Sequence, residues 1–280
     1  MDAWRRTRFV LLLAGLSLVV CACAPATEPD AAEAERQVLR LSGSGTCVPM
    51  LHVLTDNYES DAVEWRYLPG LHSGGGIKGV AAGDFEVGAV SRELKPEEEA
   101  LGLVYTKLSD DGIVIAVHPS VTLDGLSTQQ VNDIYAGRYS NWAELGGPDL
   151  PITILDRNED ESAKMVMRKH VFGPDLAISP KAVALYYEAD MIQGVQSTAG
   201  AIGYFSLGYS ISRDIPVRHL ALDGVEATVE NIRNGSYRVV RPLGVVTSPA
   251  AGPEMTAFLE WAVSDEARSL LEAHGFAAAR

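Results

Sequence analysis

A two-lobed α/β protein is what this sequence predicts, and three observations predict it. Apolar runs alternate with amphipathic stretches almost throughout, the pattern of strands buried between helices. The body that follows the N-terminal segment has roughly 245 residues, more than one hydrophobic core usually supports, which points to two lobes of roughly 100 to 150 residues each. Glycine-rich turns end two consecutive strands, the arrangement in which an open α/β sheet presents a ligand-binding edge.

The first residues have the order of an export signal. Arg5, Arg6 and Arg8 precede the apolar run FVLLLAGLSLVV, which ends at Cys21, Ala22 and Cys23. A membrane-spanning helix needs roughly 20 apolar residues, and this run is shorter. Val20, Cys21, Ala22 and Cys23 resemble a bacterial lipoprotein signal, with small Ala22 before the cut and Cys23 as the lipid acceptor. Residues 24–36 are rich in Ala, Glu, Asp and Pro with little to bury, as in a flexible tether.

Past the tether, VLRLSG (38–43) reads as a strand that runs into Gly43, Ser44, Gly45 and Thr46, followed by the helix-like VPMLHVLTDNY. A second strand, AVEWRYL, leads to His72, Ser73, Gly74, Gly75 and Gly76 and the short helix IKGVAAG. FEVGAV is a third strand, ending at Ser91 and Arg92. GIVIAVHP is a buried strand stopped by Pro119, and Ser127 is the expected N-cap of the next helix. PITILD is a strand, with a helix from about Asp160 through KMVMRKHVF. AIGYFSLGY is a strand with a glycine-rich exit, read as the return between lobes. NGSYRVV, PLGVVTS and the helices MTAFLEWAV and EARSLLEAH close the chain. These readings divide it into a signal peptide (1–23), a tether (24–36), lobe 1 (37–112 and 205–280) and lobe 2 (113–204).

The formal net charge of -14 argues against nucleic acid, since backbone binding needs clustered Lys and Arg. Beyond the N-terminal segment only Cys47 remains, so the body has no internal disulfide and no cysteine metal cluster. The histidines lack ligand-type spacing, and no G-x-S-x-G elbow or paired nucleophile and base is visible, so neither a metal site, nor a cofactor, nor catalysis is expected.

The two glycine turns carry anion-binding chemistry. Glycine lets the backbone approach a ligand, the following helix offers unpaired N–H groups and a partial positive charge, and Ser44, Thr46 and Ser73 add hydroxyl donors. Neither turn fits a nucleotide signature, which favours a small ligand. His72 reads as a surface loop residue, Trp142 as lobe core, and Cys47 as a small buried filler.

From about residue 38 onward the chain resembles the phosphate-binding protein family of ABC importers, within the type 2 periplasmic binding fold. The segments that carry the likeness are LSGSGTCVP, SGGGIKGVAAGDFEVGAVSREL, DGIVIAVHP, LSTQQVNDIYAGRYSNWAELGGPDLPITILDR and AGAIGYFSLGY. The resemblance implies one dehydrated phosphate held between the lobes. It assigns Thr46 and the amide of Cys47 to the first turn, with Ser44 beside them, and Ser73 with Gly74 to the second. The family's acidic position falls on Ser91, and its arginine on Arg157 with Glu159 placed to brace it.

The second-lobe turn departs from the family pattern. Where Gly-Ser-Gly-Thr is usual, this chain has Asp160, Glu161, Ser162 and Ala163. Two unit charges about 4 Å apart repel by about 4 kcal/mol at an effective dielectric near 20, roughly a thousandfold in affinity if uncompensated. Three outcomes are open: Glu161 turns away while Ser162 takes the anion; Asp160 and Glu161 cap the helix; or the ligand is not phosphate. A carboxylate in the cleft can also accept a hydrogen bond from a protonated oxyanion, in place of the acid absent at Ser91.

The resemblance therefore implies a monomeric, exported lipoprotein, at the periplasm or cell surface, that captures phosphate or a close oxyanion for an ABC permease. The alternatives are a signalling or surface-interaction lipoprotein that keeps the fold, and a different small ligand.

Overall fold

The computed structural model describes residues 36–279. The expected signal peptide, the acceptor Cys23 and all of the tether but its last residue lie outside the described residues. No described helix is long and apolar enough to cross a membrane.

The strands are β1 (Gln37–Gly43), β2 (Val63–Tyr67), β3 (Val87–Val90), β4 (Val104–Val117), β5 (Gly125–Leu126), β6 (Thr153–Arg157), β7 (Val183–Leu185), β8 (Ala201–Ser206), β9 (Arg218–Leu222), β10 (Val240–Thr247) and β11 (Ala277–Ala278). The helices are α1 (Val48–Thr55), α2 (His72–Ala82), α3 (Pro96–Glu99), α4 (Thr128–Tyr135), α5 (Ser162–Met167), α6 (Glu188–Ser197), α7 (Leu207–Ser212), α8 (Val229–Arg233), α9 (Pro253–Ala262) and α10 (Asp265–Ala273). The main strand order is β2-β1-β3-β10-β4-β8-β6-β7, with β11 and β9 also on β4.

This is the mixed α/β architecture expected, and β4 organises it. Its first part pairs antiparallel with β10 through Gly112, and from Ile113 onward it pairs with β8. One strand therefore runs through both lobes. One core lies at the β1–β3 end, where Leu39, Met50, Leu54, Leu243 and Phe258 pack together. A second surrounds the far half of β4, with Ile113, Val117, Trp142, Tyr204 and Phe205. Burial of this much apolar side chain in two places is what holds each lobe.

Two sequence expectations shift. The strand expected at GIVIAVHP begins eight residues earlier than its own apolar run, at Val104. The half-polar stretch 104–111 is held as strand by pairing with β10, which outweighs its weak periodicity. The return between lobes was expected at 205, but Leu207, Leu220, Leu222, Ile232, Tyr237 and Val239 all pack in the second core. Segment 207–239 thus lends apolar side chains to the second core, although α7 also packs against α1.

Glycine settles how α2 reaches the sheet. Gly43 ends β1 at φ +124°, and a Cβ there would lie 2.4 Å from the carbonyl oxygen of Ala89. A Cβ on Gly76 would come within 2.9 Å of the Gly43 Cα. Gly43 thus serves the close approach of β1 to β3, and Gly76 that of α2 to the sheet. Gly74 has open space instead, with Arg92 Nη2 the nearest atom at 3.9 Å.

Candidate functional site

Where the lobes face each other, the ends of β1, β3 and β6 and the starts of α2 and α6 converge. The first lobe contributes hydroxyls. Ser44 ends the β1 turn, Ser73 is the second residue of α2, and Ser91 follows β3. Ser44 Oγ donates to Ser91 Oγ at 2.9 Å, the Ser73 and Ser91 hydroxyls lie 3.3 Å apart, and the Ser91 amide donates to Ser73 Oγ at 3.1 Å. All three are buried.

The second lobe contributes charge. Arg157, at the end of β6, is 3% exposed. Its Nη2 donates to Glu161 at 2.6 Å and to the carbonyl of Tyr186 at 2.9 Å. Its Nε and Nη1, although buried, have no partner among the described residues. Such orphaned donors are costly unless a ligand completes them.

Glu161 stands between these halves. One carboxylate oxygen meets Arg157 and the other lies 3.2 Å from His72 Nδ1. Burial pushes the Glu161 carboxyl above its ordinary value, against the pull of Arg157 and His72. Ser162 donates to the carbonyl of Ser91 at 2.5 Å, and Thr46 donates to the carboxylate of Glu188. These contacts join the two lobes across the cleft.

Two hollows remain. One, of about 300 Å³, is lined by Ser73, Gly74, Ser91 and Ser162 among others; the second, of about 430 Å³, by Thr46, Arg157, Tyr187, Glu188 and Tyr209. Both touch Ser44, His72 and Glu161, which form the partition between them.

Beneath the second hollow lies a charged cluster. Arg241, on β10, bonds Asp111 at 3.1 Å and both oxygens of Glu188 at 3.1 and 3.2 Å. All three are buried. Asp111 also accepts from the Ser206 hydroxyl and the Gly208 amide, and Glu188 from the Ser206 amide. Burial pushes the Asp111 carboxyl up to about 6. For Glu188, burial raises the value too, but Arg241, Arg157 and the bonds from Thr46 and Ser206 together bring it below the ordinary range.

A family model described as a PBP superfamily domain matches residues 27–266. The chain belongs to this superfamily. A phosphate-binding protein PstS of Bacillus subtilis is 27% identical over 242 residues, covering 82% of this chain and 79% of that protein. The PstS of Borreliella burgdorferi is 23% identical over 252 residues, covering 86% and 89%. Among solved structures, one described as a phosphate ABC transporter substrate-binding protein with bound phosphate, from Clostridium perfringens, matches with TM-score 0.76 and 28% identity, over 87% of this chain and all of that one. The periplasmic binding fold read from the sequence is the fold observed.

Most of the expected site residues come together in this cleft. Ser44, Ser73, Gly74, Ser91, Glu161 and Ser162 line the first hollow, and Thr46 and Arg157 the second. Several details are corrected. The Cys47 amide donates to the carbonyl of Ser44 at 3.1 Å, closing a short 3-10 turn, so it is not free for a ligand. The Cys47 side chain is the expected buried filler, its thiol pushed by burial up to about 12. Glu159 does not brace Arg157; it pairs with Arg168 and lies 3.5 Å from Lys164. Lys164 is fully buried on Asp156. Glu161 neither turns away nor caps α5 with its side chain, because the guanidinium beside it outcompetes the helix end. His72 is no bland loop residue: it opens α2 at φ 55° and lies in the partition.

Sequence reasoning missed Glu188, Arg241, Asp111, Tyr186 and Tyr187. The acidic start of α6 and the arginine inside the apolar β10 were visible, but nothing local paired residues 53 and 130 positions apart.

Proposed function

We propose that this chain is an exported receptor that captures phosphate or a close oxyanion between its lobes and presents it to an ABC permease. The observation that carries the reading is Arg157, buried with two unpartnered donor nitrogens on a hollow it shares with Ser44 and Thr46, next to the hollow lined by the Ser73 and Ser91 hydroxyls. Such a constellation holds an anion by oriented hydrogen bonds, with the α2 N-terminal amides adding donors. The names of its relatives support phosphate as the ligand.

In this reading lobe 1 comprises residues 36–112 and 240–279 and lobe 2 residues 113–239, which close on the ligand as a monomer. Lipid attachment at Cys23 tethers the receptor to the membrane, by the signal-like order of residues 5–23. The protein acts by binding and not by catalysis.

Calorimetric titration of the full chain, held in detergent, with phosphate, arsenate, sulfate and neutral solutes tests the reading. Saturable heat with phosphate and arsenate is expected. Heat only with a neutral solute, or with none of the panel at millimolar concentration, refutes it.

A further inference from the structure

The partition between the two hollows includes a charged side chain, Glu161, which already pairs with Nη2 of the guanidinium that an anion needs and leaves Nε and Nη1 unpartnered. Glu161 holds Arg157 Nη2 at 2.6 Å and lies 3.2 Å from His72, with its side chain only 13% exposed. The groups facing it are Arg157 on β6, His72 on α2, Glu188 on α6, the Tyr186 loop and its neighbour Asp160, with Arg92 and Lys95 across the first hollow. Arg241 is already shared by Asp111 and Glu188. Arg157 is thus the cation left for a ligand at the partition, and Glu161 already neutralises it.

We propose that Glu161 is a tethered competitor for the captured oxyanion: capture moves its carboxylate off Arg157 and draws one proton from a buffer acid onto that carboxylate. This rests on the reading of the cleft as a phosphate site. The proton ends on Glu161, whose neutral carboxyl no longer repels the ligand, and the oxyanion takes the guanidinium in its place. Burial already favours the protonated form, and an anion beside it favours that form further. Selectivity follows from the same contact, since an anion too weak to displace Glu161 leaves the two hollows separate.

The test is titration of the full chain with inorganic phosphate at pH 7.5, in two buffers of different ionisation enthalpy. Wild type is expected to take up about one proton more per phosphate than Glu161→Gln, which keeps the side-chain volume. At pH 8 Glu161→Gln should bind phosphate at least about tenfold more tightly, with a flatter pH dependence between 6 and 8. Glu161→Ser should shift affinity the same way. Equal proton uptake in wild type and Glu161→Gln, or weaker phosphate binding in both variants, overturns the inference. So does uptake that persists in Glu161→Gln and vanishes in His72→Asn. No phosphate heat from wild type or variants overturns the phosphate reading and this inference with it.

Discussion

The two walls of the cleft are built on opposite principles. The part of the first-lobe wall that the turns form is neutral: Ser44, Ser73 and Ser91 satisfy one another on the ends of β1, α2 and β3, where short turns and glycine contacts leave little freedom, while Arg92 and Lys95 line the hollow beyond them. The second-lobe wall is ionic: Arg157, Glu161 and Glu188 stand on it, and Glu188 reaches across to Arg241, which also holds Asp111, on the first-lobe side. A hydroxyl wall can be rigid at low cost, because neutral groups lose little on burial when hydrogen-bonded. An ionic wall is held only while its charges balance, so a ligand's charge is registered there.

The largest expected departure comes from breaking the ionic balance at its root. Arg241→Met strands Asp111 and Glu188 without their shared cation and should cost about 3–5 kcal/mol in denaturant unfolding, because the charges left behind are buried. A loss below about 1 kcal/mol would mean that the cluster is less ionic than its geometry. Arg157→Ala comes next. It should lower phosphate affinity by about a hundredfold or more, since hydrogen bonds to charged groups are the strong ones. An affinity within a few-fold of wild type would shift the site to the hydroxyl wall alone.

A third prediction concerns pH. The folded Asp111 carboxyl sits at about 6 against an ordinary 3.8, so between those values the folded chain holds more protons than the unfolded one. Its contribution to stability is greatest below about pH 4 and is lost as the pH rises toward about 6. The stability of wild type relative to Asp111→Asn should therefore fall by roughly 1–3 kcal/mol between pH 4 and 6.5, read from denaturant midpoints. A constant gap would assign Asp111 an ordinary ionisation. The smallest effect is expected on the neutral wall. Ser73→Ala should weaken phosphate binding by about 1 kcal/mol, roughly five- to tenfold. A loss as large as that of Arg157→Ala would erase the contrast between the walls.

The same contrast governs what the sequence revealed. The neutral wall was legible, because each of its serines ends a strand or opens a helix and a local pattern marks it. Ser127 was legible for the same reason, and its side chain accepts from the Gln130 amide as an N-cap should. Of the ionic wall, only Arg157, Glu161 and Ser162 were named, on resemblance. Glu188 and Arg241 escaped because a buried ion pair has no sequence period; it is created when distant segments meet. The strand 104–111 escaped likewise, since its conformation is imposed by β10 and not by its own residues.

The continuity of β4 has a mechanical consequence. Its hydrogen-bonded neighbours change at Gly112 and Ile113, yet the strand itself passes unbroken from one core to the other. In the proposed receptor, opening and closing would be taken up where β4 and the return into β10 run side by side, with Asp111 and Arg241 paired next to that point. A chain cut at that point would yield no pair of independent halves. Each lobe borrows part of this strand to complete its own sheet, so the receptor is indivisible even though its cores are separate.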